Sequence, residues 1–233
     1  MTKRVLLKIS GEMFSASNGS FDFDNYAKVA KSIADFGAGA NVDIAIVVGA
    51  GNIWRYRDTK DSNLDRVTAD QLGMTATIFN AKLLESALQA VGQDAVALTD
   101  FSDNKVMPKY NPRVAREYLD NGHILILAGG TGNPFFTTDS AAALRALELD
   151  CEILLKATKV DGVYSADPKV NPNAERYKEL SYDEVLKKKL EIMDLAAISL
   201  CRDNALPVLV FDFTDQKNLA KVFADHSLGT LVS

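Results

Sequence analysis

The segment 124-ILILAGGTGNPFFTTD-139 decides the fold of this chain. Its branched apolar run, Ile124–Leu127, is typical of a buried strand; glycines and hydroxyl residues follow, and a helix is predicted to begin near Thr138. In an open α/β sheet, anions bind where a strand's carboxyl end meets the next helix's amino end, because free N–H groups and the helix dipole favour negative charge there. The segment therefore predicts an α/β protein that binds a phosphate-bearing substrate on this loop.

Strand and helix patterns alternate through the rest of the chain. Short apolar runs predict further strands at Val5–Ile9, Asp43–Val48, Ala95–Leu98, Glu152–Lys156, Pro207–Phe211 and Leu228–Val232. Helices are predicted at Asp24–Phe36, Val67–Ala90, Asn111–Asn121, Thr138–Leu149, Leu195–Asn204 and Asp215–Ala224, with a short one after Ser181, whose Glu184 has capping-box spacing. This alternation indicates one mostly parallel sheet covered by helices, and 233 residues fit a single domain over 1–233.

Local signals refine two of these elements and suggest a further one. Gly37 and Gly39 are expected to stop the first helix. The long helix at Val67–Ala90 is predicted from apolar positions that include Leu72 and Phe79. Alternating aromatics around an Asn-Gly pair make a small hairpin or excursion plausible within Phe14–Phe23.

Composition and charge exclude several classes of protein. The chain is 47% hydrophobic with a formal charge of -5, which fits a globular protein and argues against a nucleic-acid binder with a broad basic face. Cys151 and Cys201 lie outside any C-x-x-C motif, so two reduced thiols in or near a core are expected. No segment approaches the roughly 20 apolar residues of a membrane span, and the amino-terminal apolar run is too short for a signal peptide. A soluble cytoplasmic protein is the expectation.

Three predicted strands end in small residues with polar neighbours. These turns are Lys8–Gly11, Gly49–Asn52 and Gly129–Asn133. Glycines suit phosphate cradles because a side chain would keep backbone N–H groups from closing on the anion. One such turn is weak evidence, but three at one sheet edge support each other. Neither the G-x-x-x-x-G-K-[ST] nor the G-x-G-x-x-G pattern is present, so neither a Walker site nor a dinucleotide site is indicated.

Charged residues near these turns are candidates for phosphoryl transfer. Lys8 and Lys156 each lie at the end of an apolar strand, where an ammonium is costly unless it meets an anion. Two such lysines and Arg55 could neutralise the charge of a phosphoryl group during its transfer. Alternatively, these three residues are ordinary surface cations in contact with water. Asp139 could orient the lysines or act as a helix-dipole partner. Asp70 could accept hydrogen bonds from the hydroxyl groups of a sugar. Alternatively, like Asp139, it could serve only as a favourable charge near the start of a helix.

Six segments of the sequence resemble those of a known protein family. They are KISGE, VVGAGNIWR, DRVTADQLGMTATIFN, AGGTGNPFFTTDSAAALRALE, LLKATKVDGVYSADP and MDLAA, which run in order over nearly the whole chain. Together they closely resemble bacterial UMP kinases of the amino acid kinase superfamily. The resemblance implies a three-layer αβα sandwich and the reaction of ATP with UMP to give ADP and UDP, with Mg²⁺. It also implies a cytoplasmic homohexamer in pyrimidine nucleotide biosynthesis.

The resemblance assigns site residues by position. Catalytic roles fall on four charged residues, Lys8, Arg55, Asp139 and Lys156. ATP binding falls on the first two turns and a later loop, at Lys8, Ile9, Ser10, Gly11, Gly51, Arg55, Thr158, Tyr164 and Asp167. UMP binding falls on Ala50, Asp70, Thr131, Gly132, Asn133, Pro134, Phe135, Phe136, Thr137 and Thr138. The ligands of Mg²⁺ are not assigned.

Two departures from the family pattern bear on regulation and affinity. Ala50 stands where the family commonly has the second of three glycines, which places UMP affinity in doubt unless the backbone there suits an L-residue. Ser15–Phe23 departs from the glycine-rich stretch linked to GTP activation, so GTP activation is not assumed, whereas UTP feedback inhibition is expected. Two alternatives stay open: a superfamily kinase for a carboxylate or carbamate, such as acetylglutamate kinase, and a nucleotide sensor without turnover.

Overall fold

The structure, a computed structural model, describes residues 3–16, 22–56, 63–101, 105–168 and 170–233. Its strands are β1 Lys3–Ile9, β2 Val42–Val48, β3 Ala95–Thr99, β4 Ile124–Ala128, β5 Ile153–Thr158, β6 Glu179–Leu180, β7 Val208–Asp212 and β8 Thr230–Val232. Its helices are α1 Phe23–Ala40, α2 Arg66–Ala90, α3 Pro112–Asp120, α4 Thr138–Glu148, α5 Tyr182–Lys187, α6 Leu195–Asp203 and α7 Asn218–Ala224. No helix in the described part of the chain is long and apolar enough to cross a membrane.

The strands form one sheet in the order β3-β4-β2-β1-β5-β7-β8-β6. All neighbouring pairs are parallel except β7 and β8, which run antiparallel. Side chains of β1 alternate between two cores: Leu7 packs with residues of α1, α2 and α7, whereas Leu6 packs with α3, α4, α5 and α6. The predicted three-layer sandwich around a mostly parallel sheet is confirmed.

Helix α1 does not stop at the glycines. It continues through Gly37 and Gly39 to Ala40 and ends where Asn41 takes a left-handed φ of 50°. A Cβ on Gly37 would lie 3.2 Å from the side chain of Ile44, so this glycine lets α1 approach β2 closely. The predicted stop was wrong, because glycine weakens a helix only by about 1 kcal/mol and packing can offset that cost.

Three other details differ from expectation or lie beyond the structure. Leu72 and Phe79 of α2 are 41% and 51% exposed; its buried face combines apolar residues such as Leu84 and Leu88 with polar ones, and Asn80 is fully buried. The two-residue strand β6, which pairs with β8, is too short to leave a pattern in the sequence. Gly11–Phe14 forms a 3₁₀ helix, and the rest of the proposed hairpin at Phe14–Phe23 falls largely outside the described residues.

Other local predictions hold. The capping box of α5 is present, with Ser181 and Glu184 each accepting from the other's backbone N–H. Cys151 and Cys201 are buried as free thiols.

The end of α6 provides a stability test. Ala205 has a left-handed φ of 50°, and Leu206 N–H closes the turn on Cys201 O at 2.9 Å. Glycine is preferred at this position because a Cβ is strained there. Ala205→Gly is therefore expected to raise the free energy of unfolding by about 1 kcal/mol, or roughly 3 °C in Tm, measured by calorimetry. Ala27→Gly, the same change at an exposed position inside α1, is the matched control and should destabilise the protein by a similar amount; stabilisation by both would contradict the argument.

Candidate active site

Two lysines and one aspartate occupy the centre of the sheet's carboxyl edge. Lys8 of β1 and Lys156 of β5 are directly opposite each other in the parallel register, so both side chains point to the face that carries α4. Asp139 is in the first turn of α4. Its carboxylate lies 2.9 Å from Lys8 Nζ through Oδ1 and 2.6 Å from Lys156 Nζ through Oδ2. The structure thus brings together residues that are far apart in the sequence.

The charge state of this triad follows from its burial. Burial would raise the pKa of Asp139, but the positive charges of Lys8 and Lys156 outweigh that effect and hold the pKa below its usual range. Burial lowers the pKa of Lys156, although Asp139 opposes that effect. Asp139 is therefore a carboxylate at neutral pH, and it offsets part of the charge of two closely spaced ammonium groups.

The amino end of α4 is tied to the amino end of α6. Thr137 caps α4 by accepting from the N–H of Asp139 at 3.0 Å and of Ser140 at 3.3 Å. Asp194, the cap of α6, accepts from Ser140 Oγ at 2.8 Å and also from the Thr137 hydroxyl. Sequence reasoning gave Asp194 no role, although an Asp directly before a helical pattern is a cap signal.

The first two glycine turns touch each other. A Cβ on Gly11 would lie 2.5 Å from Gly51 N and from Asn52 Oδ1 and 2.8 Å from the carbonyl carbon of Ala50. No side chain fits that gap without a backbone shift. The glycine after β1 is therefore required by the close approach of the turn after β2.

This contact gives a second stability prediction. Gly11→Ala is expected to lower the free energy of unfolding by about 2 kcal/mol, because the added methyl group overlaps backbone atoms that cannot rotate away. Chemical denaturation measures it. Gly39→Ala is the control, since its Cβ would meet nothing within 4 Å and the residue is helical; it should leave stability equal or slightly higher. Equal stability of both variants would contradict the close approach.

A buried amide network supports the second turn. Asn80 of α2 donates to Gly49 O at 2.7 Å and to Asn52 Oδ1 at 2.8 Å, and Tyr26 donates to Asn80 Oδ1 at 2.7 Å. Sequence reasoning missed Asn80, because one polar residue in a long amphipathic helix looks like a surface position. Ala50 is not among the residues with positive φ, so its backbone conformation suits an L-residue.

Arg55 is held by two contacts. Its Nε donates to Gly51 O at 2.6 Å, and its Nη2 lies 2.6 Å from Glu12 Oε1. The other oxygen of Glu12 lies 3.0 Å from Lys159 Nζ. Arg55 is thus oriented by the turn it follows and by the segment after β1.

The three turns enclose a cavity of about 450 Å³. Its lining includes most of the residues assigned to the phosphates and to UMP, namely Lys8, Ser10, Gly11, Ala50, Gly51, Arg55, Asp70, Thr131, Asn133, Phe136, Thr137 and Thr138. Four residues of this phosphate and UMP set do not line it. Ile9 is buried in the core, and Gly132, Pro134 and Phe135 lie elsewhere on the loop.

Asp70 lines this cavity and is held by two partners. It accepts from Arg66 Nε at 2.8 and 2.7 Å and from Phe135 N–H at 2.7 Å. Phe135 has a left-handed φ of 72°, and Arg66 lies over its ring at 5.4 Å and over Tyr56 at 4.4 Å. A ligand that uses Asp70 would therefore meet a carboxylate already oriented by Arg66 and by the loop's own N–H group.

A second cavity, of about 470 Å³, opens beyond Lys156. Thr158, Tyr164 and Asp167, assigned to the adenosine side, line it together with Lys156. Thr158 donates to Val160 O at 2.6 Å, and Tyr164 donates to Asp161 at 2.7 Å. Lys8 lines the first cavity and Lys156 the second, and Asp139 joins the two lysines.

The described side chains do not form a metal site by themselves. Among the residues that the structure describes, no three His, Cys, Asp or Glu side chains come together as a metal site. Mg²⁺ is usually held by one or two carboxylates, waters and the phosphates of a nucleotide. The chemistry of this site therefore fits a magnesium ion that enters with a nucleotide rather than a resident metal.

The sheet, its glycine turns and its paired lysines define an α/β protein built to bind anionic ligands in two adjoining cavities. A sequence model of the amino acid kinase family matches residues 3–212, and the chain belongs to that family. A uridylate kinase from Rickettsia bellii is 43% identical over 231 residues, which are 99% of this chain and 96% of that protein.

Solved structures agree. A UMP kinase from Bacillus anthracis is 35% identical with a TM-score of 0.95, covering 99% of this chain and 96% of its own. A UMP kinase from Ureaplasma parvum is 34% identical, also with a TM-score of 0.95, over 100% of this chain and 99% of its own. The similarity in each case extends over both cavities.

Proposed function

We propose that this chain is a UMP kinase, which transfers the γ-phosphoryl group of ATP to UMP and releases ADP and UDP. The observation that carries the proposal is the Lys8–Asp139–Lys156 triad between two adjoining cavities. Two nucleotides bound in those cavities would present their phosphates to each other at the triad. The names of full-length relatives at about 43% identity supply the acceptor.

Each charged residue has a role in direct, in-line transfer. Lys8 and Arg55 neutralise the moving phosphoryl group, Lys156 supports the donor side, and Asp139 holds both lysines. No general base is needed, because the UMP phosphate has a second pKa near 6 and is already an anionic nucleophile at neutral pH. Most of the rate enhancement then comes from positioning and charge stabilisation.

The remaining assigned residues bind the substrates. Backbone groups of Ser10, Gly11 and Gly51 hold ATP phosphates, and Thr158, Tyr164 and Asp167 hold the adenosine side. The loop Thr131–Thr138 surrounds the UMP phosphate, and Asp70 binds the ribose. Mg²⁺ would arrive with ATP and would further neutralise its phosphates; the protein residues that would hold it are not assigned.

Several properties of the family extend this proposal. They are one amino-acid-kinase domain over 1–233, a homohexamer, a cytoplasmic location, a place in pyrimidine biosynthesis and inhibition by UTP, which can use the uridylate site. GTP activation is not part of this proposal, because Ser15–Phe23 departs from the glycine-rich stretch of the family; residues 17–21 of that segment lie outside the described residues. Binding of nucleic acid or membrane is not required by any of these roles.

A coupled assay of ADP release tests the function. Purified protein with ATP and Mg²⁺ is offered UMP, CMP, dUMP, N-acetylglutamate and carbamate, with and without GTP. Turnover of UMP well above the others supports the proposal. Turnover of N-acetylglutamate or carbamate instead would assign the acceptor to the carboxylate and carbamate kinases. Thermal shifts with UMP or UTP but no ADP release with any acceptor would identify a nucleotide sensor.

A further inference from the structure

Glu12 lies where the segments after three strands meet. It belongs to the 3₁₀ helix Gly11–Phe14 after β1, and its side-chain stem packs 3.5 Å from the position of a Cβ on Gly51. Its two carboxylate oxygens face different cations, Arg55 at 2.6 Å and Lys159 at 3.0 Å. Arg55 follows β2 and Lys159 follows β5, so the Glu12 carboxylate links the segments that follow the carboxyl ends of β1, β2 and β5.

The number of donors on each cation decides what this link can do. A guanidinium has five N–H donors, and Arg55 uses Nε on Gly51 O and one Nη2 donor on Glu12. Within the described part of the chain, Arg55 has no further contact of this kind, which leaves donors for a phosphate. Its two partners, Gly51 and Glu12, lie on different segments of the chain. Together they define the plane of the guanidinium before any ligand binds. Such prior orientation is what transfer between bound phosphates requires.

Lys159 acts on the other side of the carboxylate. An exposed ion pair contributes little by itself, and the Lys159 side chain is 55% exposed. Its ammonium nevertheless lies 3.0 Å from the oxygen of Glu12 that does not face Arg55. A chain of contacts therefore runs from Lys159 through Glu12 to Arg55.

We propose that Glu12 is a positioning residue for phosphoryl transfer, which fixes the Arg55 guanidinium at the phosphate cavity while Lys159 fixes Glu12. The proposal rests on the proposed function of Arg55. It predicts that Glu12 affects the chemical step through Arg55 and has no effect of its own when Arg55 is absent.

Steady-state kinetics of Glu12→Gln test this. The variant keeps the shape of the side chain and removes its charge. We expect kcat for UMP phosphorylation to fall about tenfold, with a smaller change in KM for ATP and little change in Tm. Lys159→Gln should lower kcat by a smaller factor, about threefold, because it acts through Glu12. Lys31→Gln, which removes a similarly exposed ion-paired lysine on α1, is the control and should leave kcat unchanged.

A double-mutant cycle separates positioning from a general structural role. In an Arg55→Ala background, Glu12→Gln is expected to cause no further loss of kcat, since the group it positions is gone. The same fold loss in both backgrounds would overturn the proposal, and so would a Glu12→Gln kcat within about twofold of wild type, whatever its KM. If the wild-type protein does not phosphorylate UMP, the proposed function is wrong. The positioning of Arg55 can then still be tested by the rise in Tm that ATP causes, which should be smaller in Glu12→Gln than in the wild type.

Discussion

Replacing Lys8 by alanine is expected to lower kcat for UMP phosphorylation by about a hundredfold or more. The side chain is only 12% exposed, lines the phosphate cavity and lies 2.9 Å from Asp139. A preorganised cation in such a water-poor site stabilises developing charge far more than a solvated one does. The coupled assay at saturating ATP and UMP measures the loss, and KM for UMP should change much less than kcat.

The controls for Lys8→Ala separate catalysis from folding. Asp139 keeps its contact with Lys156 in this variant, so the fold should persist, and calorimetry should show a cooperative transition. Lys31→Ala removes an exposed, ion-paired lysine on α1 and is expected to retain full activity. A kcat for Lys8→Ala close to that of wild type would remove Lys8 from the catalytic groups.

The centre of the site could be predicted because its signals are local in the sequence. A lysine at the end of an apolar strand followed by a glycine turn marks both Lys8 and, in part, Lys156, and parallel strands bring such ends to one edge. The fold class follows in the same way from alternating patterns. Resemblance to a family then extended the site to loops whose own patterns are undistinctive, such as the one carrying Tyr164.

Residues that act through distant partners could not be predicted. Asn80 contacts Gly49 and Asn52, about 30 positions earlier, and its buried polar role is invisible in a helix pattern. Glu12 and Lys159 follow β1 and β5, which are far apart in the sequence. The two residues meet only because these strands are adjacent in the sheet. Arg66 holds Asp70 within one helix, a spacing of four that could have been noticed.

The largest loss of stability is expected from Asp139→Asn, about 3 kcal/mol at pH 7. The change leaves two ammonium groups close together and mostly buried, with no negative charge between them. Burial already lowers the pKa of Lys156, and loss of Asp139 should lower it further. Urea denaturation gives the free energy of unfolding. Glu152→Gln, which breaks the exposed pair with Lys3, is the matched control and should cost less than about 0.5 kcal/mol.

The difference between wild type and Asp139→Asn should depend on pH in both directions. The pKa of Asp139 is lower in the folded protein than its unfolded value near 4, so its stabilising contribution is complete above about pH 4 and is lost as the pH falls toward the folded pKa. The pKa of Lys156 is also lowered by folding, so the cost of its charge is complete below the folded pKa and disappears as the pH rises toward about 10. The gap in unfolding free energy between the two proteins should therefore be widest near neutral pH and narrow at both extremes. A gap that stays constant from pH 3 to pH 10 would mean that the triad's charges do not hold this part of the sheet together.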